Sequence, residues 1–98
     1  MGEKKTSRRH RWTYEECEIV CSIFKSECVD SSNSVDTVIS KIEESCPSLS
    51  KGSIRMKLQN TVCICNELGI KHSCDVASLS DYSQQHMDAF KLIFGIDS

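Results

Sequence analysis

Apolar side chains in this chain recur at intervals of three and four, not two. Cys17, Val20, Cys21, Ile23, Phe24 and Cys28 mark one face of a first helix. Thr13 is its expected N-cap, and Glu16 three residues on completes a capping box. Glu15, Glu16 and Glu18 place negative charge at the positive end of the helix dipole. The turn residues Asp30–Asn33 end this helix. A second helix starts after Ser34, with a stripe of Val35, Val38, Ile39 and Ile42 and with Cys46 one turn further on. Pro47 stops it, because the residue before a proline disfavours the α region. A third helix starts at or just after Ser50 and turns Ile54, Leu58, Thr61, Val62 and Cys65 to one side. Gly69 suits the left-handed position that closes it. Residues 70–79 read as a loop. A fourth helix is expected from Leu79–Ser80, capped by Ser80, to about Phe94, with Tyr82, Gln85, His86, Ala89, Phe90, Ile93 and Phe94 at helical spacing. No alternating strand and no internal repeat occurs.

The class is therefore all-α. The link Pro47–Ser50 is short enough to make helices two and three neighbours, and Leu49 is expected to plug the angle between them. Two helices joined by a tight turn have the geometry of a helix-turn-helix. The expected architecture is a three-helix, helix-turn-helix-like bundle plus a C-terminal fourth helix.

Length changes this picture little: 98 residues allow one domain, with no room for a second to form a substrate cleft. Charge changes it more. The net charge is -2, yet residues 1–11 carry Lys4, Lys5, Arg8, Arg9 and Arg11 against Glu3, a balance of +4. The remaining 87 residues balance at -6. A flexible basic arm over 1–11 on an acidic helical domain over 12–98 is the expected organisation. The seven cysteines are odd in number and follow a charged N-terminus without an apolar run. No stretch approaches the roughly 20 apolar residues of a membrane span. The chain reads as soluble, cytoplasmic and kept reduced, with cysteine serving as a small hydrophobe.

The candidate chemistry lies on helix three. If Ile54, Leu58, Thr61, Val62 and Cys65 face the core, then Lys51, Ser53, Arg55, Met56, Lys57, Gln59, Asn60 and Cys63 face away. No acidic residue intervenes between Lys51 and Asn66. Arginine can pair bidentately with guanine, and glutamine or asparagine with adenine, while lysine and serine suit phosphates. Met56 could meet a thymine methyl. In a helix-turn-helix the second helix of the pair enters the major groove, and a basic arm can lie in the adjacent minor groove. Duplex DNA is thus the expected partner, read by Lys51, Ser53, Arg55, Lys57, Gln59 and Asn60, with Arg8, Arg9 and Arg11 on the arm.

Trp12-Thr13-Tyr14-Glu15-Glu16 resembles the W-T-x-E-E opening of Myb/SANT-like trihelical domains. The run Ser53-Ile54-Arg55-Met56-Lys57-Leu58-Gln59-Asn60 is similar to the third-helix segment of a small helical domain found beside bacterial HNH-type restriction endonucleases. Leu79–Ser83 and Phe90–Phe94 resemble that domain's final helix, so the likeness spans nearly the whole chain. It implies that Trp12 packs in the core and that Ile54 and Leu58 anchor helix three. It also implies that Arg55, Lys57 and Asn60 lie where DNA-contacting residues would be, in a transcriptional, mobile-element or defence setting. The segment with paired histidines and asparagine is missing, so nuclease activity is not implied.

Other chemistries fit less well. Cys63, Cys65, His72 and Cys74 are of types that zinc accepts, but Cys63 and Cys65 lie about 200° apart around a helix and converge poorly. Among the histidines, only His72 has a cysteine, Cys74, close by in sequence, and it lies in a loop. His86 sits on the fourth helix's stripe and reads as a core histidine. No glycine-rich phosphate loop is present. No enzyme activity, cofactor or metal is expected. The second functional reading is a protein-binding adaptor or inhibitor. It would use the acidic surface, or the apolar C-terminus of Phe90, Ile93, Phe94 and Ile96 as a partner or homodimer face.

Overall fold

The computed structural model describes residues 11–96. Helix α1 spans Tyr14–Phe24, α2 Val35–Ser45, α3 Lys51–Leu68 and α4 Gln84–Phe94. No strand occurs among the described residues, and the fold is all-α.

Each helix starts on a side-chain cap. At α1 the capping box is complete: Glu16 N donates to Thr13 Oγ1 at 3.1 Å, and Thr13 N donates to Glu16 Oε1 at 3.0 Å. Ser34 and Ser50 accept from Thr37 N and Ser53 N in the same way. Such a cap contributes about 1 kcal/mol by satisfying a backbone N–H that the helix cannot. Gly69 and Gly95 close α3 and α4 at φ 71° and 66°, a left-handed turn that a Cβ would strain. Helix α1 does not stop at Phe24. It widens into one π turn over Lys25–Val29, where Asp30 N donates to Lys25 O, five residues back, at 2.8 Å.

Helices α1, α2 and α3 pack against one another in all three pairings, and α4 packs most extensively on α1. Phe24, Ile42, Ile54, Leu58, Ile64 and Phe90 fill the space between them and are fully buried. Removing each such side chain from water contributes about 1.5–3 kcal/mol. Leu49 is buried in the α2–α3 turn, as its place in the sequence predicts. All seven cysteines are free and buried. Trp12 lies half-buried against the core.

The start of α4 corrects the sequence reading. The cap is Ser83, whose hydroxyl accepts from His86 N at 3.1 Å, and not Ser80. The preceding segment is instead tied along α3 by hydrogen bonds. Leu79 N donates to Gln59 O at 3.1 Å. Asn60 Nδ2 donates to Leu79 O at 2.8 Å and to Asp81 Oδ1 at 3.0 Å, and Tyr82 Oη donates to Glu67 Oε1. Tertiary hydrogen bonds thus outweigh a local cap three residues earlier.

Candidate nucleic-acid interface

Helix α3 divides in the middle. In its first two turns Lys51, Arg55 and Met56 are exposed, and Ser53 is half-buried. Gln59 follows Arg55 by four residues and is also half-buried, so Lys51, Arg55 and Gln59 form one row along the helix. Lys51 Nζ meets Glu43 Oε1 of α2 at 2.7 Å, an exposed pair that partly neutralises the row at its start. Arg55 has no ion-pair partner among the described residues. Met56 is 53% exposed, the large apolar side chain most open on this helix.

From Lys57 onward the expected outward face is covered, apart from half-buried Gln59. Lys57, Asn60 and Cys63 are buried. The reason is the chain on either side of them. Lys57 Nζ sits 4.7 Å from the centroid of the Trp12 ring, a cation–π contact that lays its stem under the N-terminal segment. Burial pushes its ammonium below the ordinary lysine range, against the neighbouring Cys17, Cys21 and Asp81. Asn60 spends its amide on Leu79 and Asp81. Neither side chain is available to a base edge, contrary to the expectation for Lys57 and Asn60. Of the arm, Arg11 is exposed and adjoins Trp12, so the chain enters beside α3; Arg8 and Arg9 lie outside the described residues.

Beneath Lys57 runs a buried polar seam between α1, α3 and α4 that periodicity does not reveal. Thr61 Oγ1 donates to Lys57 O at 2.8 Å, which uses its only hydrogen. It therefore accepts from His86 Nε2–H, also at 2.8 Å. This fixes the tautomer: His86 Nδ1 carries the lone pair, and it is the buried atom left without a partner. Burial, with Lys57 nearby, lowers the His86 pKa to about 3, so the ring is neutral. Cys21 Sγ lies 3.9 Å from the same Nε2, but burial pushes that thiol far above its usual range. A thiolate–imidazolium pair needs the opposite shifts, so Cys21 and His86 are not an activated nucleophile and base. Gln85 Nε2 donates to Trp12 O at 3.0 Å and ties α4 to the start of the domain. The one signal of this seam in the sequence is His86 on an otherwise apolar stripe.

The apolar C-terminus is turned mostly to the core. Phe90 is buried and stacks on Phe94 with centroids 4.0 Å apart, while Ile93, Phe94 and Ile96 pack on the core. The exposed large apolar residue of α4 is Leu92, at 60%. Cys63 and Cys65 face different surroundings: Cys63 donates to Glu67 Oε2 at 3.7 Å, and Cys65 lies near Cys28. Among the described residues, no helix is long and apolar enough to cross a membrane.

No family model, curated protein or solved structure matches the chain.

Proposed function

We propose that this protein is a duplex DNA-binding module that reads through the first two turns of α3. The observation carrying this reading is the exposed pair Lys51 and Arg55 with Met56 beside them and half-buried Gln59 next in the row, directly after the short α2–α3 turn. Helix-turn-helix proteins contact base edges with the N-terminal residues of the second helix, the part of α3 that stays open here. Arg55 takes the base-reading role, Lys51 and Ser53 contact phosphate, and Arg11 leads the basic arm along the backbone. The setting would be transcriptional control, or targeting in a mobile-element or defence system.

Fluorescence anisotropy with a labelled duplex tests this. Binding should weaken steeply between about 50 and 200 mM salt, and Arg55→Ala should weaken it about tenfold or more at the lower salt. A folded, monodisperse protein that binds no duplex at low salt refutes the reading. A second reading, a protein-binding adaptor, is favoured by Leu92 and Tyr14, large and exposed on the packed helices α4 and α1. It predicts capture of a partner that Leu92→Glu abolishes and Arg55→Ala leaves intact.

A further inference from the structure

The seven thiols are not equivalent. Cys28 lies in the π turn that ends α1, and Cys74 lies in the loop between α3 and α4. The two segments are clamped together: Ser73 N donates to Cys28 O at 2.8 Å, so the residue next to Cys74 is pinned on Cys28 itself. Both side chains are buried, and their thiols lie within hydrogen-bonding reach of each other. Cys74 N is held in turn by His72 Nδ1 at 3.1 Å, and the His72 ring lies 5.7 Å from that of Phe24. A surface cleft of about 190 Å³, lined by Cys28, Ser31, Lys71, His72 and Ser73, adjoins the Cys28 side of this pair.

We infer that Cys28 and Cys74 form an oxidisable dithiol, in which Cys28 meets a small hydroperoxide through the cleft and Cys74 resolves it into a disulfide. The two thiols have unlike environments. Hydrogen bonding from Cys74, and secondarily from Ser73, lowers the Cys28 pKa against its burial and Glu27. The same contact, with burial, holds Cys74 protonated far above its usual range despite Arg55 nearby. The thiolate is the nucleophile in thiol oxidation. Cys28 Sγ attacks one peroxide oxygen, the O–O bond breaks, and the alkoxide or hydroxide leaves as alcohol or water after taking a proton. Cys28 is then a sulfenic acid. Cys74 Sγ attacks that sulfur, the S–O bond breaks, and the departing hydroxide takes the Cys74 proton as water. Overall, two thiols and one hydroperoxide give one disulfide, one alcohol or water, and one water; the thiols lose the two electrons that the peroxide gains. An added dithiol returns the pair to the reduced state by exchange. The bond would fasten the loop that carries Cys74 to the end of α1. It rests on none of the features used for DNA recognition.

The test is a reaction of the full chain with limiting hydrogen peroxide, quenched by alkylation and mapped by mass spectrometry without reduction. The expected product is an intramolecular link between the peptides holding Cys28 and Cys74, lighter by two hydrogen atoms and reversed by dithiothreitol. Cys28 should be lost about tenfold faster than Cys21, whose thiol is held protonated. Cys65→Ser should keep the link, and Cys28→Ser and Cys74→Ser should each abolish it while circular dichroism stays helical. The wild-type map stands even if a variant misfolds. Links that join other cysteines first, chains joined only to one another, or thiols that stay reduced while Cys28 remains alkylatable would each overturn the proposal.

Discussion

The two halves of α3 carry similar residue types and do opposite things. Lys51, Ser53, Arg55 and Gln59 in the first half resemble Lys57, Asn60 and Thr61 in the second as a mixture of cations, amides and hydroxyls. The first set lies at or near the surface, and the second is closed in by Trp12 and by the segment 79–82. Residue type on a helix therefore announces a surface only where no neighbouring chain crosses it. Polarity in the second half serves folding, whereas in the first it lies at or near solvent.

Acid should separate the halves most strongly. His86, bound to Thr61 of the second half, is neutral in the fold with a pKa of about 3 against 6.5 for the ordinary group. The unfolded chain takes up the proton first. The His86 contribution is thus fully present above pH 6.5 and is lost as pH falls from there toward 3. The slope is about 1.4 kcal/mol per pH unit. Urea unfolding at pH 7 and pH 5 should differ by about 2 kcal/mol from this group alone, and His86→Gln should flatten that part of the profile.

Next in size is Asn60→Ala, which leaves Leu79 O and Asp81 without their donor. It should destabilise by roughly 1–3 kcal/mol in denaturant titration and leave residual duplex affinity per folded molecule unchanged. Lys57→Ala should lose about 1 kcal/mol with the Trp12 contact and stem packing, and Lys57→Met should recover part of this by keeping the stem. The same Lys57→Met variant should bind duplex like wild type, because this cation is buried against Trp12. Smallest in stability are Lys51→Ala and Arg55→Ala, each within about 0.5 kcal/mol since both are exposed. If Lys57→Met weakened duplex binding as much as Arg55→Ala, the division of α3 would fail as a functional boundary.

Three of the four caps, the helix stripes and the plug at Leu49 were legible in the sequence, because each is a local rule of spacing or hydrogen bonding. Lys57, Asn60 and Cys63 were misread for the converse reason. Helical periodicity assigns a side chain to a face, but which faces are covered depends on non-local chain. Here a segment about twenty residues downstream returns to α3, and that return also moves the α4 cap from Ser80 to Ser83. Asn60 reads as a DNA ligand and as a tether with equal ease, since an amide suits both. The thiol pair was likewise hidden: Cys28 and Cys74 are far apart in sequence, and their apposition depends on the Ser73–Cys28 hydrogen bond.

The π turn at Lys25–Val29 holds a phase relation between the two ends of α1. A π turn takes up one residue more than an α turn, and each α-helical residue advances about 100° around the axis. Winding the same residues as a regular α-helix, with none removed, would abolish this wider turn. Everything after it would rotate by about that angle relative to the Val20–Phe24 face. Cys28 would swing away from the loop carrying Cys74, and Glu27 from Lys41 of α2, which it now meets at 3.7 Å. The extra residue thus sets the angular register in which one helix serves two neighbours, the core on its first three turns and the 70–79 loop on its last.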